Sequence, residues 1–389
     1  MLCSLTPDTP HLLWLAFLPL VLMCATARAD DQRSRARDLG IKVGIFEPGP
    51  LNAITDVPGV MVGHKTLIRG SDVRTGVTAI LPHAGNLMRE KVPAAIQVGN
   101  GFGKLAGYTQ VEELGNIESP IILTNTLAVG TAVNAIVKYT LNQPGNDDIL
   151  SVNAVVGETN DGRLNDIRGM HVTEDDVIDA INDSKLGPIE EGCVGAGTGT
   201  VAFGYKSGIG TASRIIVLDD SARYTLGVLV QTNCGGALEI NGAPVGRILR
   251  EESSAGTEGD SGGSCMIVLA IDAPMTVGNL KRLAARTIHG LAKTGAYMSN
   301  GSGDYAIAFS TAYRIPHLSR TAYPVPDLLP NDAMTALFRA AIEATQEAVY
   351  NSLLAATTMT GFNGRTAPVL PRDEVVRICR EHRVIGGQN

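Results

Sequence analysis

The polar run at residues 251–263, rich in Gly, Ser and Glu, ends directly against the apolar string 265–271, and this junction splits the chain into two well-patterned halves. On both sides, short apolar runs bounded by Gly, Asn or Asp alternate with helical periodicities, which favours a mixed α/β architecture. Strands are expected at 121–123, 150–156, 213–218, 224–231, 265–271 and 305–309, and helices at 131–141, 173–182, 275–293 and 333–357. In the third helix, Val277, Leu280, Leu283, Ala284, Ile288 and Leu291 recur at three- and four-residue spacing, so one stripe faces a core. Residues 314–332 carry four prolines and read as a loop.

With 389 residues, 44% apolar and 18% charged, the chain can bury a large core as one domain or two smaller ones. A net charge of −7 without any run of Lys or Arg lacks the electrostatic footprint of a nucleic-acid or anionic-membrane binder. The expected partner is a small molecule. An apolar run at 12–24 followed by Ala27-Arg28-Ala29 and polar Asp30-Asp31-Gln32 reads as a secretory signal peptide cut after Ala29, giving a periplasmic or secreted chain. An uncleaved start is the alternative, since no Lys or Arg precedes the apolar run. That run is too short to span a bilayer comfortably, and no later segment reaches 18 uninterrupted apolar residues. Val21-Leu22-Met23-Cys24 has the outline of a lipoprotein box, but Met23 stands where a small residue is needed. Cleavage would leave Cys193, Cys234, Cys265 and Cys379, whose spacing makes no metal site. Cys234 and Cys265 lie in apolar runs and read as buried thiols, with one disulfide left open.

Gly259-Asp260-Ser261-Gly262-Gly263 matches the nucleophile signature of trypsin-like proteases, but none of the seven histidines stands in the context their general base requires. A different reading begins one residue later. Ser264 stands directly before an apolar strand, and a cut between Gly263 and Ser264 would give it a free α-amine, titrating near ~7.7–8, beside its own hydroxyl. Nucleophile and base would then share one residue. Gly263, lacking Cβ, is expected to tolerate strained backbone at the cut. The glycine cluster Gly195, Gly197 and Gly199 lacks the spacing of a dinucleotide fingerprint, and no phosphate-loop Lys follows, so no cofactor is implied.

Seven segments in order carry a resemblance: 54–60 with Val62-Gly63-His64, Thr124-Asn125-Thr126 with Val129-Gly130, Val156-Gly157-Glu158-Thr159 through Asp166, the 195–199 glycines, Val230-Gln231-Thr232-Asn233, the 263–274 block, and Ser302-Gly303-Asp304. Over nearly the whole mature chain, the sequence resembles the L-aminopeptidase/D-Ala-esterase/amidase and β-peptidyl aminopeptidase family, whose fold is shared with ornithine acetyltransferase. The resemblance implies a four-layer α/β/β/α sandwich, self-cleaved into an α chain (30–263) and a β chain (264–389) that together form one catalytic domain. It further implies Ser264 as nucleophile, Asn233 as oxyanion donor, and Ser302 and Asp304 as groups that tune proton traffic around the nucleophile. Asp304 is shorter than the Glu of β-peptidyl members.

Glu158 would face the free amino group of a short peptide, amide or ester, those with an amino-terminal β-amino acid included, while Asn125 and Asn160 would line the pocket. Asn160 replaces an aromatic that relatives often carry. A homotetramer of αβ pairs is expected, without nucleic acid, membrane, metal or cofactor. The rivals are an acyltransferase on the same fold and an exported, non-catalytic binding protein. Without the resemblance, the polar cluster from Glu158 to Asp166 would read as a turn, Asn233 before Gly235-Gly236 as another, 302–304 as a loop, and His64 and His171 as structural.

Overall fold

The computed structural model describes residues 33–219, 222–252 and 263–386. The expected signal peptide and most of the polar 251–263 run lie outside the described residues. In chain order the strands are β1 (Met61–Arg69), β2 (Val73–Leu81), β3 (Glu90–Gly101), β4 (Leu105–Ala106), β5 (Asn116–Ile117), β6 (Ile121–Asn125), β7 (Val155–Thr159), β8 (Val201–Ala202), β9 (Tyr205–Lys206), β10 (Ile209–Asp219), β11 (Ala222–Asn233), β12 (Gly263–Ile271), β13 (Ser302–Ser310), β14 (Ile315–Pro316), β15 (Met359–Thr360) and β16 (Thr366–Ala367). The α-helices are α1 (Tyr108–Leu114), α2 (Val129–Leu141), α3 (Glu174–Asn182), α4 (Val245–Glu252), α5 (Val277–Ala292), α6 (Met334–Leu354) and α7 (Arg372–Glu381).

Two larger sheets result. One has the order β1-β2-β6-β7-β4; the other runs β10-β11-β12-β13-β3-β14, with β5 also paired to β3. Their inner faces share one core, in which Ile121, Leu123 and Val155 meet Leu229, Met266, Val268, Ile307 and Phe309. Helices α2 and α3 cover the outer face of the first sheet through Ala132, Ala135, Ile136, Val177 and Ile181. Helices α5 and α6 cover the outer face of the second through Leu280, Leu283, Leu337, Ala341 and Val349. A strand buried on both faces reads as an unbroken apolar run, which is why β12 was legible without any alternation.

The expected strand at 150–156 begins instead at Val155. Asn153 spends its backbone and side-chain N–H groups on Glu118 Oε1, at 2.9 and 2.8 Å, so the polar stretch before β7 is held by a side chain and not by a ladder. Strands β1 to β3 were missed because charged and polar residues interrupt them, as in His64-Lys65-Thr66. The proline-rich 314–332 segment is largely irregular, apart from β14 and a short 3₁₀ turn.

The second sheet is pinned to α6 by a buried charge network. Arg214 of β10 is fully buried and donates to Glu347 of α6 at 2.7 Å and to the carbonyls of Ser213 and Val43. Glu347 also accepts from Arg37 Nε at 2.8 Å and Asn52 Nδ2 at 2.6 Å. Burial pushes the Glu347 carboxyl up, but the two guanidiniums outweigh it and hold the pKa below its ordinary value. Breaking one side of such a network leaves a buried charge uncompensated. Replacing Glu347 with Leu should cost about 3–5 kcal/mol in denaturant unfolding; a loss under about 1 kcal/mol, the value of an exposed pair, would show that the network carries no stability.

Candidate active site

Strand β12 begins at Gly263, and its register with both neighbours fixes what surrounds Ser264. In the antiparallel ladder with β11, Ser264 pairs with Asn233. In the parallel ladder with β13, Ser264 pairs with Gly303 and Cys265 with Asp304. Side chains alternate across a sheet, and Met266 lies in the core between the sheets while Cys265 lies in the core under α5 and α6. Ser264 therefore shares the inter-sheet face with Asn233. Ser302 and Asp304 share the opposite face with Cys265.

The buried Ser264 hydroxyl folds back on its own preceding peptide and donates to the Gly263 carbonyl at 2.6 Å. Gly263 is the residue from which the sequence reading expects tolerance of strained backbone. Its lack of a side chain is needed for space: a Cβ there would lie 2.9 Å from Gly235 N and 3.1 Å from Cys234 Cα. The turn that follows Asn233 is packed directly onto the Gly263–Ser264 bond.

Asn233 is clamped at both ends of its amide. Its Oδ1 accepts from Val201 N at 3.0 Å and its Nδ2 donates to the Asn160 carbonyl at 3.1 Å. An amide nitrogen carries two protons, so one remains for the crevice beside Ser264. Asn160 thus meets the site through its backbone; its exposed side chain closes a turn onto Gly162 N. Two residues before Asn233 on the same face, Gln231 spans the two sheets, donating to Thr124 O, Thr159 Oγ1 and Ala196 O at 2.8–3.1 Å.

The other sheet brings Glu158 to the same end of the crevice. A Cβ on Gly157 would lie 2.3 Å from Met266 Cε, so the end of β7 sits over the start of β12. Glu158 is 4% exposed. Its Oε1 accepts from Lys104 N at 3.0 Å, with Lys104 Nζ at 3.7 Å, and its Oε2 accepts from the Thr126 hydroxyl. Gly103 and Gly303 allow this approach, since a Cβ on Gly103 would lie 3.2 Å from both Glu158 Oε1 and Gly303 Cα. Asn125 spends its side chain on the start of α2, accepting from Leu127 N and Ala128 N and donating to Thr75 Oγ1 at 2.8 Å. From the motif Thr124-Asn125-Thr126, the sequence reading chose Asn125; the residue that touches Glu158 is Thr126. Lys104 and Gln231 carry no sequence signal of a role, because their partners lie far away along the chain.

Asp304 is wholly buried, and neither carboxyl oxygen has a hydrogen-bond partner in good geometry among the described residues. Burial pushes its pKa up to about 6, against a downward pull from the Ser302 hydroxyl and the Cys265 amide. The thiols of Cys234 and Cys265, buried behind the nucleophile on this face, are pushed well above the ordinary range by burial. All four described cysteines are free. No group of three or more His, Cys, Asp or Glu among the described residues could hold a metal.

A strand-end serine with an amide donor paired beside it and a buried carboxylate at the same end of the facing sheet suits acyl transfer from a substrate bearing a cation. The comparisons with known proteins agree with that class. The model of peptidase family S58 matches residues 52–367. The beta-peptidyl aminopeptidase BapA of Sphingosinicella microcystinivorans is 41% identical over 386 residues, covering 93% of this chain and 96% of that protein. Among solved structures, a Burkholderia sp. beta-aminopeptidase is 37% identical with a TM-score of 0.83, covering 92% of this chain and 100% of its own. The L-aminopeptidase D-Ala-esterase/amidase from Ochrobactrum anthropi, described as a prototype of the serine aminopeptidases and a variant of the Ntn hydrolase fold, is 36% identical with a TM-score of 0.83, covering 90% and 99%. With one family match over most of its length and relatives this similar end to end, the chain belongs to peptidase family S58.

Proposed function

We propose that the protein is an exported, self-cleaving serine aminopeptidase that removes amino-terminal residues from short peptides, amides or esters, β-amino acids among them. The observation that carries the reading is the Ser264 hydroxyl, 2.6 Å from the Gly263 carbonyl oxygen, with Asn233 paired beside it and Glu158 at the same crevice end. The two sheets with helices on both outer faces are then the four-layer α/β/β/α sandwich. The likeness to beta-peptidyl aminopeptidases supports the substrate class.

Self-cleavage begins with attack of Ser264 Oγ on the Gly263 carbonyl carbon. The C–N bond breaks, an ester forms, and the proton from Oγ ends on the departing nitrogen as the Ser264 α-amine. Water then hydrolyses the ester, leaving an α chain of 30–263 with a Gly263 carboxylate and a β chain of 264–389. In turnover, the α-amine takes the hydroxyl proton as Ser264 attacks the substrate carbonyl, and Asn233 Nδ2 donates to the oxyanion. The protonated amine gives its proton to the leaving group, and water resolves the acyl-enzyme. Glu158 holds the substrate ammonium through charge-assisted hydrogen bonds, which restricts the enzyme to free amino termini. Export follows from the expected signal peptide, and assembly as a homotetramer of αβ pairs from the family likeness.

Asp304 gains a purpose from this sequence of steps. In the uncleaved chain it is a buried carboxyl without a strong partner; cleavage releases an ammonium on the strand beside it. A carboxyl whose folded pKa is raised contributes stability that is present below the ordinary value and lost as pH rises through about 6. The uncleaved Ser264→Ala protein should therefore lose up to roughly 3 kcal/mol of stability between pH 4 and 7.5 through this group, at about 1.4 kcal/mol per unit. Adding Asp304→Asn should remove that part of the pH dependence. Identical pH profiles in both proteins would contradict the assignment.

Loss of the Glu158 charge tests the substrate reading. A hydrogen bond to a charged group contributes about 1.5–3 kcal/mol, so Glu158→Gln should raise KM for a free-amine substrate by roughly ten- to a hundredfold. Discrimination against the N-acetylated substrate should fall by a similar factor. Unchanged KM and unchanged discrimination would show that the ammonium binds elsewhere.

A further inference from the structure

Lys206 is fully buried, and a buried ammonium is expensive unless every bond it makes serves a purpose. Its Nζ donates to the Gly197 carbonyl at 3.1 Å and to the Ser207 carbonyl. Gly197 closes the turn Gly195–Gly197, which leads within four residues to Val201, and Val201 is the ladder partner of Lys206 itself. Val201 N is the group that holds Asn233 Oδ1. On the other side, Ser207 Oγ donates to Thr232 O at 2.8 Å, one residue before Asn233. The bonds of Lys206 and its neighbour therefore end on the loop that clamps Asn233 Oδ1 and on the strand residue just before Asn233.

The second clamp on Asn233 has its own buried charge. Asn160, whose carbonyl takes Nδ2, is followed by fully buried Asp161. Asp161 Oδ1 accepts from Asn165 Nδ2 at 3.0 Å, and a Cβ on Gly199 would lie 2.9 Å from Asp161 Cβ, so the two clamping loops are packed against each other. Asp161 and the Cys193 thiol are the titratable groups beside Lys206. Sequence offered no hint of this arrangement, since a lysine between Tyr205 and Ser207 reads as a surface residue.

We infer that Lys206 is a positioning residue of the catalytic centre: its ammonium locks the 197–201 loop so that the Asn233 amide presents its free N–H to the oxyanion. This rests on the reading of Asn233 as the oxyanion donor. The loop acts on the transition state and not on the substrate's amino end, which Glu158 holds from the other sheet, so its loss shows in kcat and not in KM.

The test is a double-mutant cycle on the self-cleaved enzyme with an aminoacyl p-nitroanilide as substrate. Asn233→Ala should lower kcat about 10²–10³-fold; if it does not, the oxyanion reading fails, whatever Lys206 does. With that effect in hand, Lys206→Met should lower kcat by about tenfold or more at nearly constant KM, while adding little in the Asn233→Ala background, as expected for residues acting through one group. Lys206→Gln, whose amide can donate to the same carbonyls, should recover part of kcat. The inference is overturned if the Lys206→Met effect adds in full to that of Asn233→Ala, if it falls on KM, or if Lys206→Met and Lys206→Gln both fail to fold or to self-cleave, since any of these assigns Lys206 to the scaffold alone.

Discussion

The ladder that sets Ser264 between Asn233 and Gly303 is the constraint on which the rest of the site depends. It is a backbone constraint, so it holds before any bond is cut. It puts the hydroxyl on the inter-sheet face and the Ser302–Asp304 pair on the other. A serine at the first turn of a loop would have had many rotamers and neighbours; at the start of a strand buried on both sides it has few. The same burial that makes β12 one of the most apolar strings in the chain gives the Ser264 hydroxyl and the Gly263 carbonyl a shared, mostly dry environment, in which polar contacts count for more than in water.

Opposed placement also divides the labour. In the proposed reading the groups that meet substrate are Asn233 and Ser264 on the inter-sheet face of the second sheet and Glu158 at the end of the first. The helix-side face carries Asp304, whose raised pKa reflects a buried carboxyl without a strong partner. Cleavage as proposed would place a new ammonium in the sheet plane between these faces, and the unfavourable burial of Asp304 would then be relieved by the reaction's own product. Gln231 ties the two sheets together through its bonds to Thr124 O and Thr159 Oγ1.

What could be read from sequence follows from how each feature is built. The long buried strands β10 to β13 and helices α2, α3, α5 and α6 announce themselves as continuous apolar runs or three-four stripes, and they were placed to within a few residues. Strands β1 to β3 were not, because polar and charged residues interrupt their apolar runs, and β7 was placed early because Asn153 looks like strand but bonds to Glu118. The residues named for the site come together at one crevice end in Ser264, Asn233 and Glu158, while Asn125 turns to the start of α2 and Asn160 offers only its carbonyl. Contacts between segments far apart in sequence, such as those of Thr126, Gln231 and Lys206, leave no periodic trace, so no spacing argument could have found them.

The central claim is that the Gly263–Ser264 bond breaks by the action of Ser264 itself, and intact mass with amino-terminal sequencing tests it most directly. Purified protein should resolve into two chains of about 25 and 13 kDa, scaled from 40.8 kDa over 389 residues, with the smaller starting Ser264-Cys265-Met266. The Ser264→Ala variant should remain one chain. A single uncut chain in both samples, or the same cut in both, would contradict the account.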